Sequence, residues 1–238
     1  ITEIEDLKQV KLIGCGTSLH AAMIGRTLVE KLSGLPAEAE SSSEFRYRDS
    51  NIDHRTLVVA IGQSGETADT LAAMDSVRQK GGRLLSICNV EGSQASLRSE
   101  GTLFMNSGLE IGVASTKTFI ASISLLALLS LYLGQAFNHL SSATRRELVG
   151  HLTLLPNLIG NILTDHRPYK ILAKSLQRYD HMLYLGRGIT FPIALEGALK
   201  VKEISYVHAE GYAAGEMKHG PIALIDDKMA TIAVAPQS

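Results

Sequence analysis

Short aliphatic and β-branched runs alternate along this chain with longer stretches in which apolar residues recur at helical spacing. Val10-Lys11-Leu12-Ile13 precedes a helical pattern from about Ser18 to Lys31, and Leu57 to Ile61 precedes one from Thr67 to Gln79. Arg83 to Cys88 precedes a short turn-rich stretch, and Thr102 to Met105 leads to a long apolar helix from about Ser115 to Leu133. Strands that alternate with helices, and that are apolar on both faces, predict an α/β fold with a parallel sheet flanked by helices on both faces. A helical connector is expected from about Ser142 to Tyr179, interrupted at Pro156 and Pro168.

The pattern then begins again. His181 to Leu185 ends in Gly186-Arg187-Gly188 as the first strand ends in Gly14-Cys15-Gly16. Ala230 to Ala235 ends in Pro236-Gln237-Ser238 as Leu57 to Ile61 ends in Gly62-Gln63-Ser64. Gly14 and Gln63 are 49 positions apart, and Gly186 and Gln237 are 51 apart. Matching strand ends at near-equal spacing predict a tandem repeat of one α/β unit, its second copy incomplete. The expected division is a first domain over 1–140, a helical connector over 141–180 and the start of a second domain over 181–238. A chain that opens at Ile1 and stops inside its second copy is expected to be a piece of something longer.

Charge narrows the partners. Lys and Arg number 23 against 24 Asp and Glu, a net charge of -1, and no block of five like charges occurs. Neither nucleic acid nor an anionic membrane is therefore an expected partner. The longest nearly apolar run, Phe119 to Leu133, holds 15 residues. It spans about 22 Å against a bilayer core of roughly 30 Å, so a buried helix is expected. Cys15 and Cys88 are the only cysteines and lie far apart, which fits a reducing, cytoplasmic compartment better than a disulfide framework. Leu19 and Phe191 stand where a dinucleotide fingerprint needs its third glycine. The eight histidines are dispersed, with no His-Glu-x-x-His. No cofactor and no metal is expected.

Candidate chemistry sits at the strand ends. Gly62-Gln63-Ser64-Gly65-Glu66-Thr67 follows an apolar strand and opens a helix, which aims free N–H groups, two hydroxyls and an amide at one point. Such a point suits a phosphate. The same residues also fit an ordinary turn capped by Ser64. Gly14-Cys15-Gly16-Thr17-Ser18 lies at the edge of a parallel sheet where ligands bind, and Thr17 and Ser18 suit either sugar hydroxyls or helix capping. Cys15 reads as a small buried group rather than a nucleophile, since nothing near it in sequence would activate it. Glu196, Lys200 and Glu203 share one helical face. They fit a solvated ion pair, or a carboxylate that shuttles a proton beside a carbonyl with a lysine tuning its charge. His219, in a turn-rich loop, is either simply exposed or a proton donor suited to opening a cyclic sugar.

Six segments in one order carry a specific resemblance: Cys15-Gly16-Thr17-Ser18, Gln63 to Thr70, Gly112 to Lys117, Leu195 to Lys200, Lys202 to Tyr206, and Lys218-His219-Gly220-Pro221. Over essentially all 238 residues the chain resembles the isomerase half of the glucosamine-6-phosphate synthase family, through a first sugar-isomerase (SIS) domain and into a second. That resemblance implies conversion of fructose 6-phosphate and ammonia to glucosamine 6-phosphate. It implies that Gln63, Ser64 and Thr67 hold the phosphate of a hexose 6-phosphate, and that Cys15, Gly16, Thr17, Ser18, Val113 and Ser115 line the sugar. It further implies Glu203 as the base between C1 and C2, Lys200 assisting at the C2 oxygen, and His219 opening the ring from the neighbouring subunit of a homodimer. Three departures stand out. Gly62 occupies a position where bacterial relatives often carry a phosphate-binding serine, so one hydroxyl contact is missing. The family's N-terminal glutaminase domain and the C-terminal tail with its Schiff-base lysine are not in this sequence, so full turnover by this piece alone is not expected. Two other functions share the same site: a non-catalytic phosphosugar-binding SIS module, and phosphosugar isomerisation without ammonia.

Overall fold

The computed structural model describes residues 4–236; Gln237 and Ser238, which complete the second of the repeated strand ends, lie outside the described residues. The chain divides between Ser141 and Ser142 into two compact units.

The first unit is built on five parallel strands, β1 (Gln9–Gly14), β2 (Ala37–Ser41), β3 (Thr56–Ile61), β4 (Arg83–Cys88) and β5 (Gly101–Phe104), in the order β2-β1-β3-β4-β5. Helices α1 (Thr17–Ser33) and α5 (Lys117–Ala136) cover one face, and α2 (Ser42–Phe45), α3 (Ala68–Gln79) and α4 (Gln94–Arg98) cover the other. Alternate strand residues serve the two layers. Val10, Leu12, Leu57, Val59 and Ile61 pack toward α1 and α5, whereas Ile13, Val58, Ala60 and Leu84 pack with Met74 and Val77 of α3. Burial on both faces is why these strands read as continuous apolar runs. Among the described residues α5 is the one helix long and apolar enough to cross a membrane. Here its Leu126, Leu129 and Leu133 lie in the core beside Ala21, Ala22 and Ile24 of α1.

The hydrophobic pattern does not anticipate β2, because Ala37-Glu38-Ala39-Glu40-Ser41 has little intrinsic strand preference. It forms as an edge strand because β1 supplies a ladder and a cation. Lys11 of β1, whose side chain is only 7% exposed, donates to Glu38 Oε2 at 2.5 Å. That hydrogen bond, with help from Arg48, holds the Glu38 carboxyl below its ordinary value against the opposing effect of burial. A depressed folded-state pKa adds stability above the unfolded value that is lost as pH falls through the folded one. Glu38→Gln is therefore expected to cost about 1 kcal/mol at pH 7: it leaves the Lys11 ammonium underpaired, but the Glu38 side chain is 56% exposed and solvent screens the pair. In chemical denaturation the gap from wild type should close as pH falls from the ordinary carboxylate value through the lowered folded-state one. A gap independent of pH would remove the ion pair as its cause.

The second unit begins with α6 (Ser142–Thr164) and α7 (Arg167–Leu176). Pro156 does not interrupt the helix as expected; it lies inside α6, and the break comes at Asp165-His166. Helix α6 buries none of its residues, so water can satisfy the carbonyl that Pro156 leaves unpaired. Pro168 opens α7, where a missing N–H costs nothing. Strands β6 (His181–Gly186), β7 (His208–Ala213) and β8 (Met229–Ala233) with α8 (Phe191–Ser205) then form a parallel sheet in the order β7-β6-β8. This repeats the β2-β1-β3 arrangement of the first unit. The strand-to-helix turns match as well, Gly16 and Gly188 adopting φ of +54° and +55°. The expected repeat is thus present in topology and in backbone detail.

Candidate active site

In the first sheet the chain leaves β1 toward β2 on one side and later returns to β3 on the other. Ligands of parallel sheets bind at such a reversal, outside the carboxyl ends of the strands. A cavity of about 250 Å³ lies there, lined by Cys15, Thr17, Ser18, Gln63, Ser64 and Thr67, and closed by Glu110, Gly112, Val113 and Ser115 of the loop before α5. Every residue expected to touch phosphate or sugar therefore lines it, except Gly16, which sits beside it as the N-cap of α1.

The β3–α3 turn is not a helix cap built on Ser64. Thr67 is the N-cap of α3 and makes no side-chain capping bond, while the Ser64 hydroxyl accepts from the Glu66 N–H at 3.2 Å. The start of α3 thus keeps N–H groups and the Thr67 hydroxyl directed to the cavity's edge, an arrangement suited to an anion. Gly65 makes the turn possible: its φ is +68°, and a Cβ there would lie 2.3 Å from Ser93 Oγ. At Gly62 the reverse holds, for an added Cβ would meet nothing closer than 3.9 Å. The missing side chain leaves space in the cavity wall. No Lys or Arg side chain is among the lining residues, so hydroxyls, amides and the helix terminus must supply the attraction for a phosphate.

Two lining residues with polar side chains, Thr70 and Glu110, receive no role from the motifs. Thr70, one turn into α3, is buried against the cavity. Glu110 lies in a loop between Gly108 and Gly112 with no local pattern around it, and its carboxylate accepts from the Thr116 N–H at 2.9 Å.

In the second unit α8 carries Glu196, Lys200 and Glu203. Lys200 Nζ lies 2.7 Å from Glu203 Oε2 and 3.2 Å from Glu196 Oε1. Their side chains are 17%, 29% and 7% exposed in the order Lys200, Glu203, Glu196, which replaces the solvated ion pair by a largely sheltered one. Glu203 is the most open of the three. Glu196 is held inside with Ala194 and Ala198, where α8 packs on its sheet. His219 ends a 3-10 turn, Ala214–His219, and is exposed. Cys15 is half-buried at the cavity, and Cys88 is buried.

Topology and cavity together define a SIS domain: the family model for that domain matches residues 3–132 and 175–238, and the chain belongs to this family. Within it, the chain is similar to the C-terminal domain of glucosamine-fructose-6-phosphate aminotransferase from Francisella tularensis, with 38% identity and a TM-score of 0.95 over 99% of this chain and 67% of that one. It is also 43% identical over 99% of its length to a glutamine–fructose-6-phosphate aminotransferase (isomerizing) of Symbiobacterium thermophilum. To the enzyme of the same name from Pseudomonas aeruginosa it is 46% identical over 98% of its length. The chain spans 39% and 38% of those two relatives. The resemblance drawn from the six motifs is borne out.

Proposed function

We propose that this chain is the sugar-phosphate isomerase part of an enzyme that converts fructose 6-phosphate and ammonia to glucosamine 6-phosphate. The observation that carries the reading is the cavity at the β1–β3 reversal, where the unspent start of α3 meets Gln63, Ser64 and Thr67. These three hold the phosphate; Cys15, Gly16, Thr17, Ser18, Val113 and Ser115 line the sugar. Glu203 moves the proton between C1 and C2, Lys200 assists at the C2 oxygen, and His219 opens the ring from the neighbouring subunit of a homodimer. A glutaminase domain supplies ammonia in the longer cytoplasmic protein, whose sugar-binding part comprises domains over 1–140 and 181–238 joined by 141–180. The sheltered Glu196–Lys200–Glu203 group favours chemistry over a purely binding role, since holding a phosphosugar needs no carboxylate beside a lysine.

Calorimetric titration of the chain with glucosamine 6-phosphate and with unphosphorylated glucosamine tests the phosphate site. Only the phosphorylated sugar is expected to saturate it. Hydrogen bonds to charged groups contribute about 1.5–3 kcal/mol each, so Ser64→Ala/Thr67→Ala, which removes two, should weaken binding by about a hundredfold or more. Equal binding of both sugars, or an unaffected double variant, would overturn the assignment.

A further inference from the structure

Three helices begin at the cavity of the first unit, and two of them, α3 and α5, are in opposite electrical states. Helix α3 starts at Thr67 without a side-chain cap. Helix α5 starts beside an anion that the chain supplies itself. Glu110 Oε1 accepts from the Thr116 N–H at 2.9 Å, and Oε2 accepts from the Ser115 hydroxyl at 3.2 Å and from the Thr118 hydroxyl. Burial pushes this carboxyl up, but the hydrogen bonds from Thr116, Thr118 and Ser115 outweigh it and hold it below its ordinary value. It therefore carries its charge at neutral pH. No cationic side chain lines the cavity to offset it, and the adjacent Lys117 donates to the Leu109 carbonyl at 2.7 Å. The wall at the start of α3 thus attracts an anion, whereas the wall at the start of α5 is itself anionic.

We propose that Glu110 is a specificity-determining residue that restricts this cavity to sugars with a single phosphate. A phosphate at the start of α3 leaves the far end of a hexose in a space that shares its wall with the carboxylate. Hydroxyl or ammonium groups donate to it favourably, whereas a second phosphate meets like charge with α5 already satisfied. The class admitted is hexose and amino-hexose monophosphates, and the class rejected is hexose bisphosphates. This rests on the reading of the cavity as a phosphosugar site.

The test is titration of wild type, Glu110→Gln and Glu110→Asp with fructose 6-phosphate and with fructose 1,6-bisphosphate, folding being checked by circular dichroism. Wild type is expected to bind the bisphosphate at least about tenfold more weakly than the monophosphate. Glu110→Gln should bring the two within a few-fold, and Glu110→Asp, which shortens the side chain but keeps its charge, should preserve the gap. Wild type binding both alike overturns the proposal, whether or not the variants fold. A gap that survives Glu110→Gln, or that closes equally in Glu110→Asp, also overturns it, the latter because geometry rather than charge would then be responsible. Failure of folded wild type to bind either sugar would instead overturn the phosphosugar reading on which the proposal stands.

Discussion

Replacing Glu203 by Gln is expected to abolish exchange of the C1/C2 proton of a hexose 6-phosphate with solvent while leaving sugar affinity within a few-fold. The amide has nearly the shape of the carboxylate and keeps an oxygen for Lys200, which lies 2.7 Å away in the wild type. It cannot take up and return a proton. General bases contribute about 10²–10⁴-fold to proton-transfer rates, so exchange should fall by at least that much, to the background rate. Affinity should hold, because the groups assigned to the phosphate are Gln63, Ser64 and Thr67 of the first unit's cavity. Deuterium incorporation followed by NMR, in a chain of the relatives' length, reads the first effect, and calorimetry reads the second. Undiminished exchange would remove Glu203 as the base. A parallel loss of exchange and affinity would make it a binding or structural residue.

The phosphate turn was legible because its chemistry is contiguous: one strand end, one turn and one helix start lie between Leu57 and Thr70. The repeat was legible for the same reason, in glycines at equivalent strand ends. Elements that depend on a partner were not. Strand β2 and strand β7, His208-Ala209-Glu210-Gly211-Tyr212-Ala213, carry too few β-branched residues to declare themselves and form by pairing with β1 and β6. Pro156 misled because α6 is exposed, so water can satisfy the carbonyl left without a partner and the helix runs through the proline. Glu110 gave no signal because its partners Ser115, Thr116 and Thr118 matter only once the loop folds back on α5. Glu196 was visible as part of a charged face, but its burial depends on neighbouring small residues, Ala194 and Ala198, and on the sheet beneath them. Spacing shows which groups can meet; it does not show whether water is present when they do.

The two copies of the strand–turn–helix unit lead to a graded expectation for their glycines. A Cβ on Gly186 would lie 2.2 Å from the Thr190 carbonyl oxygen and 2.7 Å from the Phe191 nitrogen, whereas one on Gly14 would approach Ser18 no closer than 2.9 Å. Both contacts are with backbone at or near a helix start, and backbone cannot rotate aside as a side chain does. The second copy is the tighter. Its Thr190 hydroxyl is already engaged by the Arg187 N–H at 2.9 Å and with the Val234 carbonyl at 3.1 Å, so displacing the turn would also strip a tie from the residue that follows β8. Gly186→Ala is therefore expected to cost about 3 kcal/mol, and Gly14→Ala about 1–2 kcal/mol. Because the chain has two units, hydrogen exchange is the proper measurement: protection should fall in β6 and α8 for the first variant, and in β1 and α1 for the second. Helix α8 carries Glu196, Lys200 and Glu203, so Gly186→Ala should also slow proton exchange on the sugar without touching a group that performs it. Full protection of α8 in Gly186→Ala would mean that the turn has slack to absorb a methyl group, and that the close packing at Thr190 does not set the position of the helix.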